Sequence, residues 1–168
     1  MSAVDDNREL RNALGQFPTG VAIVTALDDD SRPVGMTINS LASISLSPAL
    51  ICWSIDRRAA SYDTFVNASR FAVTVLSEHQ AELALRFSTR GANKFENLEV
   101  DGSDATVIPN GCAWFKCDSY RSIRLGDHSM LVGKVTEFGQ DRIPPLLFNG
   151  GQFRQLAQTR ETLTRVAA

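Results

Sequence analysis

Short apolar runs rich in Val, Ile, Thr and Phe occupy much of the chain, and turn-forming residues separate them. Runs of this length and composition predict β-strands. In the first half the predicted strands cover residues 21–27, 34–38, 42–46, 50–55 and 71–76. In the second half they cover residues 112–123, 130–138 and 146–148. Their spacing favours an antiparallel β structure.

Helical periodicity predicts three helices, one before the strands and two between them. The first is N-terminal, because four apolar residues repeat at the spacing of one helix face: Leu10, Ala13, Leu14 and Phe17. A polar residue among 5–7 would cap it, and Gly15 and Pro18 would end it. The second begins at Ser77, which forms a capping box with Gln80, and carries an apolar face to Phe87. The third is a short helix over residues 61–67.

The remaining segments complete the predicted organisation. Residues 88–108 are polar and contain glycines, which predicts a long loop that is either functional or mobile. We find no repeat or linker and expect one domain over 1–168, with a core at about 10–153 and a polar tail at 154–168, where a helix is one option. Because strands do not alternate with long helices, we expect a mainly β fold: a six- or seven-stranded antiparallel barrel closed by helices.

Composition and charge narrow the class of function. The chain has 168 residues, 43% of them hydrophobic, and a net charge of −2, which favours one compact domain and disfavours nucleic acid or an anionic membrane as partner. No apolar run approaches the roughly 18 residues of a membrane span. The polar, acidic start does not resemble a signal peptide, so we expect a cytoplasmic protein.

The cysteines predict reduced thiols. Cys52, Cys112 and Cys117 are odd in number, and only His79 and His128 could join them as soft ligands. A structural zinc site needs four such ligands in paired short spacings, so we expect no metal site and interpret the cysteines as small, buried side chains.

The chain lacks the common nucleotide and hydrolase motifs. It contains no G-x-G-x-x-G, no Walker loop and no G-x-S-x-G. It does concentrate small hydroxyl and amide side chains in residues 35–48. Short donors of this kind suit the polar edge of a heterocycle or a phosphate. The alternative is a turn in which Asn39 and Ser40 bond to their own backbone.

Two further groups could carry chemistry. In Gly126-Asp127-His128 the carboxylate can hold one imidazole nitrogen and present the other, although such a pair is as often structural. Lys94, with Arg86 and Arg90, could neutralise a phosphate, although a solvated helix end would look the same.

Three motifs in order resemble the short-chain flavin reductase family. They are the run 17–25 (FPTGVAIVT), the pattern 35–48 (G-x-T-x-N-S-x-x-S-x-S-L-x-P) and Gly126-Asp127-His128. The family members are NAD(P)H:flavin oxidoreductases that serve as small components of two-component flavin-dependent monooxygenases. The resemblance runs from about Leu10 to Phe153 and implies a split β-barrel of Greek-key type that forms homodimers with flavin at the interface.

The resemblance also implies site residues. The isoalloxazine and ribityl chain of FMN or FAD would be lined by Met36, Thr37, Ile38, Asn39, Ser40, Leu41 and Ser43. The tail and phosphate would lie along Cys52, Trp53, Ser54 and the turn to Ser61, with Phe87, Ser88, Lys94 and Phe95. His128 would stand where the nicotinamide of NADH or NADPH stacks, and Asn149, Gly150 and Phe153 would form the end of that pocket.

The implied function agrees with the sparse catalytic inventory. Hydride transfer to flavin N5 is cofactor chemistry, which asks the protein to bind and orient. His128 would position the nicotinamide or stabilise charge at the flavin. Three alternatives stay open: a flavin-binding or electron-transfer protein without nicotinamide turnover, an oxidase resembling the pyridoxamine phosphate oxidases, and a purely structural module.

Overall fold

Ten strands and three helices form the part of the chain that the computed structural model describes, residues 3–100 and 102–157. The helices are α1 (Ala3–Leu14), α2 (Tyr62–Asn67) and α3 (Ala81–Ser88). The strands of the first half are β1 (Thr19–Gly20), β2 (Ala22–Leu27), β3 (Pro33–Ile38), β4 (Ala42–Leu46), β5 (Ala49–Asp56) and β6 (Arg70–Val75). Those of the second half are β7 (Ala113–Leu125), β8 (His128–Gln140), β9 (Leu147–Asn149) and β10 (Gln152–Arg154).

Seven strands form one antiparallel sheet in the order β3-β2-β6-β7-β8-β5-β4. The two edge strands, β3 and β4, follow one another along the chain and do not pair with each other. The sheet curves round a common core, which makes it the expected split barrel. A second sheet, β1-β9-β10, is antiparallel and lies beside the N-terminal end of β2.

Two apolar clusters lie on opposite faces of β2. The barrel core contains Trp53, with Phe65 and Phe71 edge-on to it at ring distances of 5.1 and 6.0 Å. The second cluster packs Val21 and Ile23, on the outer face, against α3 and the small sheet. β2 is therefore buried on both faces, which explains its continuous apolar sequence.

Most predicted elements are confirmed to within two residues, and three details are wrong. α3 begins at Ala81, because residues 77–80 form a turn in which the Gln80 side chain accepts the Ser77 N–H at 3.0 Å. α1 begins at Ala3, so residues 5–7 lie inside it and do not cap it. The sequence missed β1 and β10, which are too short for a periodicity of two to register.

The described residues of the long connection from α3 to β7, which exclude residue 101, form no helix or strand, as predicted. Its second half is nevertheless anchored in the structure. Thr25 Oγ1 donates to the Thr106 carbonyl, and the Ile108 N–H donates to Thr74 Oγ1 at 3.0 Å. Near its start, residues 90–95 line a surface groove.

Two observations concern the periphery of the fold. The apolar face predicted for α1 points to solvent, with Leu14 66% and Phe17 76% exposed. Within the described residues, no helix has both the length and the apolar character that a membrane crossing demands. The tail at 158–168, where a helix was one option, lies outside the described residues.

Candidate functional site

A continuous surface groove runs between β3, α3 and the small sheet on one side and the turn after β5 on the other. It has three sections, which we call apolar, inner and outer. Thr37 and Ser88 line both the apolar and the inner sections. Ser61, Arg90 and Lys94 line both the inner and the outer sections. These shared residues make the three sections one elongated site.

The apolar section has a volume of about 380 Å³. Its walls are the side chains Val21, Ile38, Leu85, Phe148 and Phe153, with Asn39 at the edge. The rings of Phe148 and Phe153 pack edge-on at 5.8 Å across the β9–β10 hairpin. A flat apolar ring with polar edge atoms matches such a section.

The inner section, of about 280 Å³, is the cationic part of the groove. Three basic side chains line it: Arg58, Arg90 and Lys94. Arg58 forms an ion pair with Asp56 at 2.9 Å, which lowers the pKa of Asp56 well below its usual range and raises that of Arg58. The charge of Arg58 is thus largely compensated, whereas Arg90 and Lys94 form no ion pair within the described residues.

Lys94 is the cation of the groove that burial affects most directly. Its ammonium group is half-buried and donates to the Gly35 carbonyl at 2.9 Å, and no carboxylate of the described residues lies within 4 Å of it. Desolvation by burial lowers the pKa of Lys94. A desolvated cation without a carboxylate partner is a favourable place for a bound anion.

A glycine holds Lys94 at this place. Gly35, in the middle of β3, packs directly on the rings of Phe87 from α3 and Phe95, which stack edge-on at 5.1 Å. A Cβ atom at Gly35 would lie 2.6 Å from Phe87 Cε1, so only glycine lets β3 approach this pair. The close approach brings the Gly35 carbonyl within reach of Lys94.

The outer section, of about 460 Å³, continues past the cations. It lies between Pro33 and Val34 on one side and residues 91–93 on the other, with Thr64 and Asp28 at its far end. Backbone N–H bonding from Arg32 lowers the pKa of Asp28, so this carboxylate is ionised at neutral pH.

The structure separates the hydroxyl-rich segment into structural and available groups. Thr37 Oγ1 donates to the Ala84 carbonyl at 2.6 Å, and Ser40 Oγ accepts the Ser54 N–H at 3.0 Å, so both hydroxyls hold the fold. The turn interpretation is wrong for Ser40, because its hydroxyl bonds to the backbone of Ser54 on β5 and not to the backbone of its own turn. Asn39 is exposed, and its amide has no partner among the described residues.

The groove brings together ten of the site residues that the resemblance implied. They are Met36, Thr37, Ile38, Asn39, Ser61, Phe87, Ser88, Lys94, Phe95 and Phe153. Eight others do not line it. They are Ser40, Leu41, Ser43, Cys52, Trp53, Ser54, Asn149 and Gly150.

Physical reasons account for four of these eight. Trp53 is fully buried in the barrel core, and Leu41 packs against the same core. Cys52 is buried, and burial raises the pKa of its thiol. Asn149 instead donates its side-chain amide to the Gly15 carbonyl at 3.2 Å, which ties the β9–β10 hairpin to the end of α1. The neighbouring Gly151 lines the groove where Gly150 was expected.

His128 lies at the tip of the β7–β8 hairpin, outside the groove as one chain forms it. Its Nδ1 is 2.7 Å from Asp127 Oδ1, and this hydrogen bond lowers the pKa of Asp127. On the adjacent strand it pairs in register with Asp56, the ion-pair partner of Arg58. The hairpin tip is therefore next to the cationic section without closing it.

Several residues that line the groove were not predicted from the sequence, and one predicted cation, Arg86, does not line it. Arg58, Leu85 and Phe148 line it but belong to no recognisable motif. Arg90 takes the predicted place, whereas Arg86 turns away and donates to the Glu96 carbonyl at 2.9 Å. For Arg58, the only available signal was its position in the turn between Ser54 and Ser61.

The groove offers binding chemistry and little acid–base chemistry. Among the described residues that line it there is no histidine or cysteine, and Asp28 is the only carboxylate. The arrangement therefore suits an elongated ligand with a flat apolar end and an anionic group, whose own chemistry supplies the reaction.

We compared the sequence with known protein families and proteins. A family model described as the flavin reductase-like domain matches residues 14–157. FMN reductase (NADH) SmoA of Agrobacterium fabrum is 39% identical over 156 residues, which cover 92% of this chain and 88% of SmoA. The reductase component of the flavin-dependent trigonelline monooxygenase of Acinetobacter baylyi is 41% identical over 140 residues. That match covers 82% of this chain but only 45% of the relative.

Solved structures of related proteins superpose closely on this chain. The NADH:FAD oxidoreductase SgcE6 of Streptomyces globisporus, in complex with NAD and FAD fragments, superposes with a TM-score of 0.87 at 31% identity. The superposition covers 96% of this chain and 99% of that one. Nitrilotriacetate monooxygenase component B of Mycobacterium thermoresistibile gives a TM-score of 0.91 at 29% identity, over 99% and 95% of the two chains.

Proposed function

The chain belongs to the family of flavin reductase-like domains, and on that premise we propose that it is an NAD(P)H-dependent flavin reductase. It uses FMN or FAD as acceptor and NADH or NADPH as donor. The observation that carries the proposal is the groove, in which an apolar section adjoins a half-buried lysine without a carboxylate partner. FMN and FAD each have a flat ring and a phosphate at the two ends of a ribityl chain, and they fit this order.

Different residues of the groove bind the ring and the phosphate of the flavin. The apolar section holds the ring, and the free amide of Asn39 bonds to its polar edge. Arg90 and Lys94 hold the phosphate at the inner section. Phe153 and the β9–β10 hairpin border the place of the nicotinamide. When both are bound, the reduced nicotinamide supplies a hydride that N5 of the flavin accepts, so the protein needs to bind and orient.

His128 is a candidate positioning residue in this scheme. Its hydrogen bond to Asp127 fixes the ring, and the other imidazole nitrogen is free to donate to or accept from the nicotinamide carboxamide or the flavin. We expect His128→Ala to raise the KM for NADH or lower turnover, while flavin affinity stays within about threefold because the residue lies outside the groove. A large loss of flavin affinity in titrations would instead make His128 part of the flavin site.

A homodimer with flavin at its interface is the second part of the proposal. The half of β7 from Asp118 to Leu125 is exposed on both faces, although β7 is the central strand of the seven-stranded sheet. It carries apolar side chains, among them Tyr120 and Leu125, which are 57% and 52% exposed. Exposed apolar surface on a central strand favours a protein partner, and the hairpin tip with His128 would come with it.

The reduced flavin would then pass to a monooxygenase. Relatives of this chain are named as reductase components of such systems, as in the trigonelline monooxygenase.

One assay tests the proposal. NADH and NADPH oxidation is followed at a fixed enzyme concentration with FMN, FAD and riboflavin added in turn. Oxidation that depends on added or bound flavin supports a reductase. A protein that binds flavin and oxidises neither nucleotide would be a flavin-binding or electron-transfer protein of the same fold.

A further inference from the structure

The cations of the groove lie in its middle and not at its end. Arg90 and Lys94 stand where the inner and outer sections meet. On one side the inner section leads to the apolar section through Thr37 and Ser88. On the other side the outer section continues with about 460 Å³ of space. The anionic group of a ligand that fills this groove is therefore central in the ligand.

The position of the charge distinguishes the two flavins. FMN ends at its phosphate, so it would leave the outer section empty. FAD continues through a diphosphate to an adenosine, so its anionic group is central. The overall charges of the two phosphate groups are similar, and the cations alone do not discriminate between them. The space beyond the cations discriminates between FMN and FAD.

The walls of the outer section suit an adenosine better than another anion. Pro33, Val34 and the half-buried Phe95 present apolar surface to a flat base. The carboxylate of Asp28 at the far end is paired with Arg32 at 3.0 Å, so its charge is largely compensated and it adds no attraction for a second anion. Apart from Arg90 and Lys94, no cation is found among the described residues of this section.

We infer that the flavin of this chain is FAD, and that its adenosine half occupies the outer section. The inference rests on the proposed function. It assigns Thr64, on α2, as a residue that faces the adenosine, since this side chain lines the outer section.

Flavin binding without nicotinamide tests the inference. Dissociation constants for riboflavin, FMN and FAD are measured by quenching of flavin fluorescence for the wild-type protein, Thr64→Trp and Asn67→Trp. Thr64→Trp fills the outer section. Asn67→Trp places the same bulk at the end of the same helix, at an exposed residue that does not line the groove. The wild-type ratio of FMN to FAD needs no variant and decides the question even if Thr64→Trp does not fold.

We expect the wild-type protein to bind FAD about tenfold or more tightly than FMN, since a stacked base contributes that much. Thr64→Trp should lower FAD affinity about tenfold and leave FMN affinity within about twofold, and Asn67→Trp should change neither. Equal wild-type affinities, or equal losses of both flavins in Thr64→Trp, would overturn the inference and leave the outer section to the nicotinamide nucleotide. If no flavin binds at all, the proposed function itself fails.

Discussion

At the scale of the residue, Lys94 decides whether the groove binds an anion. Its ammonium group is partly desolvated, and its one hydrogen bond within the described residues goes to a backbone carbonyl, so burial costs free energy that a bound phosphate would offset. A structural lysine at a helix end would be exposed or paired with a carboxylate. Lys94 is neither.

Lys94→Met should therefore weaken the binding of FMN and FAD and spare riboflavin, which has no phosphate. We expect a loss of about 1.5–3 kcal/mol, which is about 10- to 100-fold in Kd, because the variant removes a charge-assisted hydrogen bond. Titrations of the variant with riboflavin, FMN and FAD measure this loss of affinity. Arg142→Met is the matched control, since Arg142 is an exposed cation away from the groove.

The pH dependence of flavin affinity tests the role of Lys94 in a second way. The lowered pKa of Lys94 means that its charge is present at neutral pH and is lost as pH rises through the alkaline range below 10.5. A bound phosphate favours the charged form, so affinity for FMN or FAD should fall over this range and binding should take up a proton. Equal pH profiles for riboflavin, FMN and FAD would contradict a role for Lys94 at the phosphate.

At the scale of the element, the contact of β3 with α3 builds the groove. Gly35 lies on Phe87 and Phe95, Thr37 bonds to Ala84, and the two contacts fix the distance between strand and helix. The hydroxyl of Thr37, which as a sequence motif suggested a ligand contact, serves this packing.

Gly35→Ala tests that contact. Its Cβ would lie within 3 Å of the Phe87 ring, so we expect a loss of about 1–3 kcal/mol in the free energy of unfolding from overpacking. Gly20→Ala is the control, because nothing lies within 4 Å of a Cβ at that position. Denaturant unfolding of both variants measures the difference. Equal stability of the two variants would mean that β3 can move away from α3 at little cost.

The elements were predictable where their pattern is local. Short runs rich in Val, Ile, Thr and Phe marked the long strands, and the apolar periodicity marked all three helices. The start of α3 was not predictable, because Gln80 uses its side chain for the turn N–H of Ser77 and for the Pro109 carbonyl, and the second partner is remote in sequence.

The site was predictable only in part for the same reason. The motif around Asn39 and the cations Arg90 and Lys94 could be read from the sequence, but the outcome for each depends on contacts across the fold. Trp53 was itself predicted to lie along the flavin tail, yet its side chain is fully buried in the barrel core against Phe65 and Phe71. Arg58 and Phe148 reach the groove from strands and turns that no local pattern connects with it.

At the scale of the whole molecule, one chain leaves the central strand of its sheet uncovered. The exposed half of β7 opposes a stretch of β8, from Ser129 to Gly133, that is almost entirely buried. A second copy over the β7–β8 hairpin would cover the apolar side chains and bring two hairpin tips to the interface.

A variant with Ile123→Asp and Leu125→Asp should therefore be monomeric and should lose most of its flavin-dependent NADH oxidation. Both residues are exposed in the single chain, so the folded monomer should retain its circular dichroism spectrum. Light scattering after size-exclusion chromatography gives the mass. A wild-type monomer, or a monomeric variant with full activity, would contradict a site that needs two chains.

The central claim is that the groove binds a flavin so that a nicotinamide nucleotide can reduce it. The most direct measurement is the steady-state oxidation of NADH and NADPH by the purified protein, with and without FMN, FAD or riboflavin. The account predicts oxidation that requires flavin and that Lys94→Met impairs with FMN and FAD more than with riboflavin. Oxidation that is independent of flavin, or its absence with every flavin and both nucleotides, would contradict it.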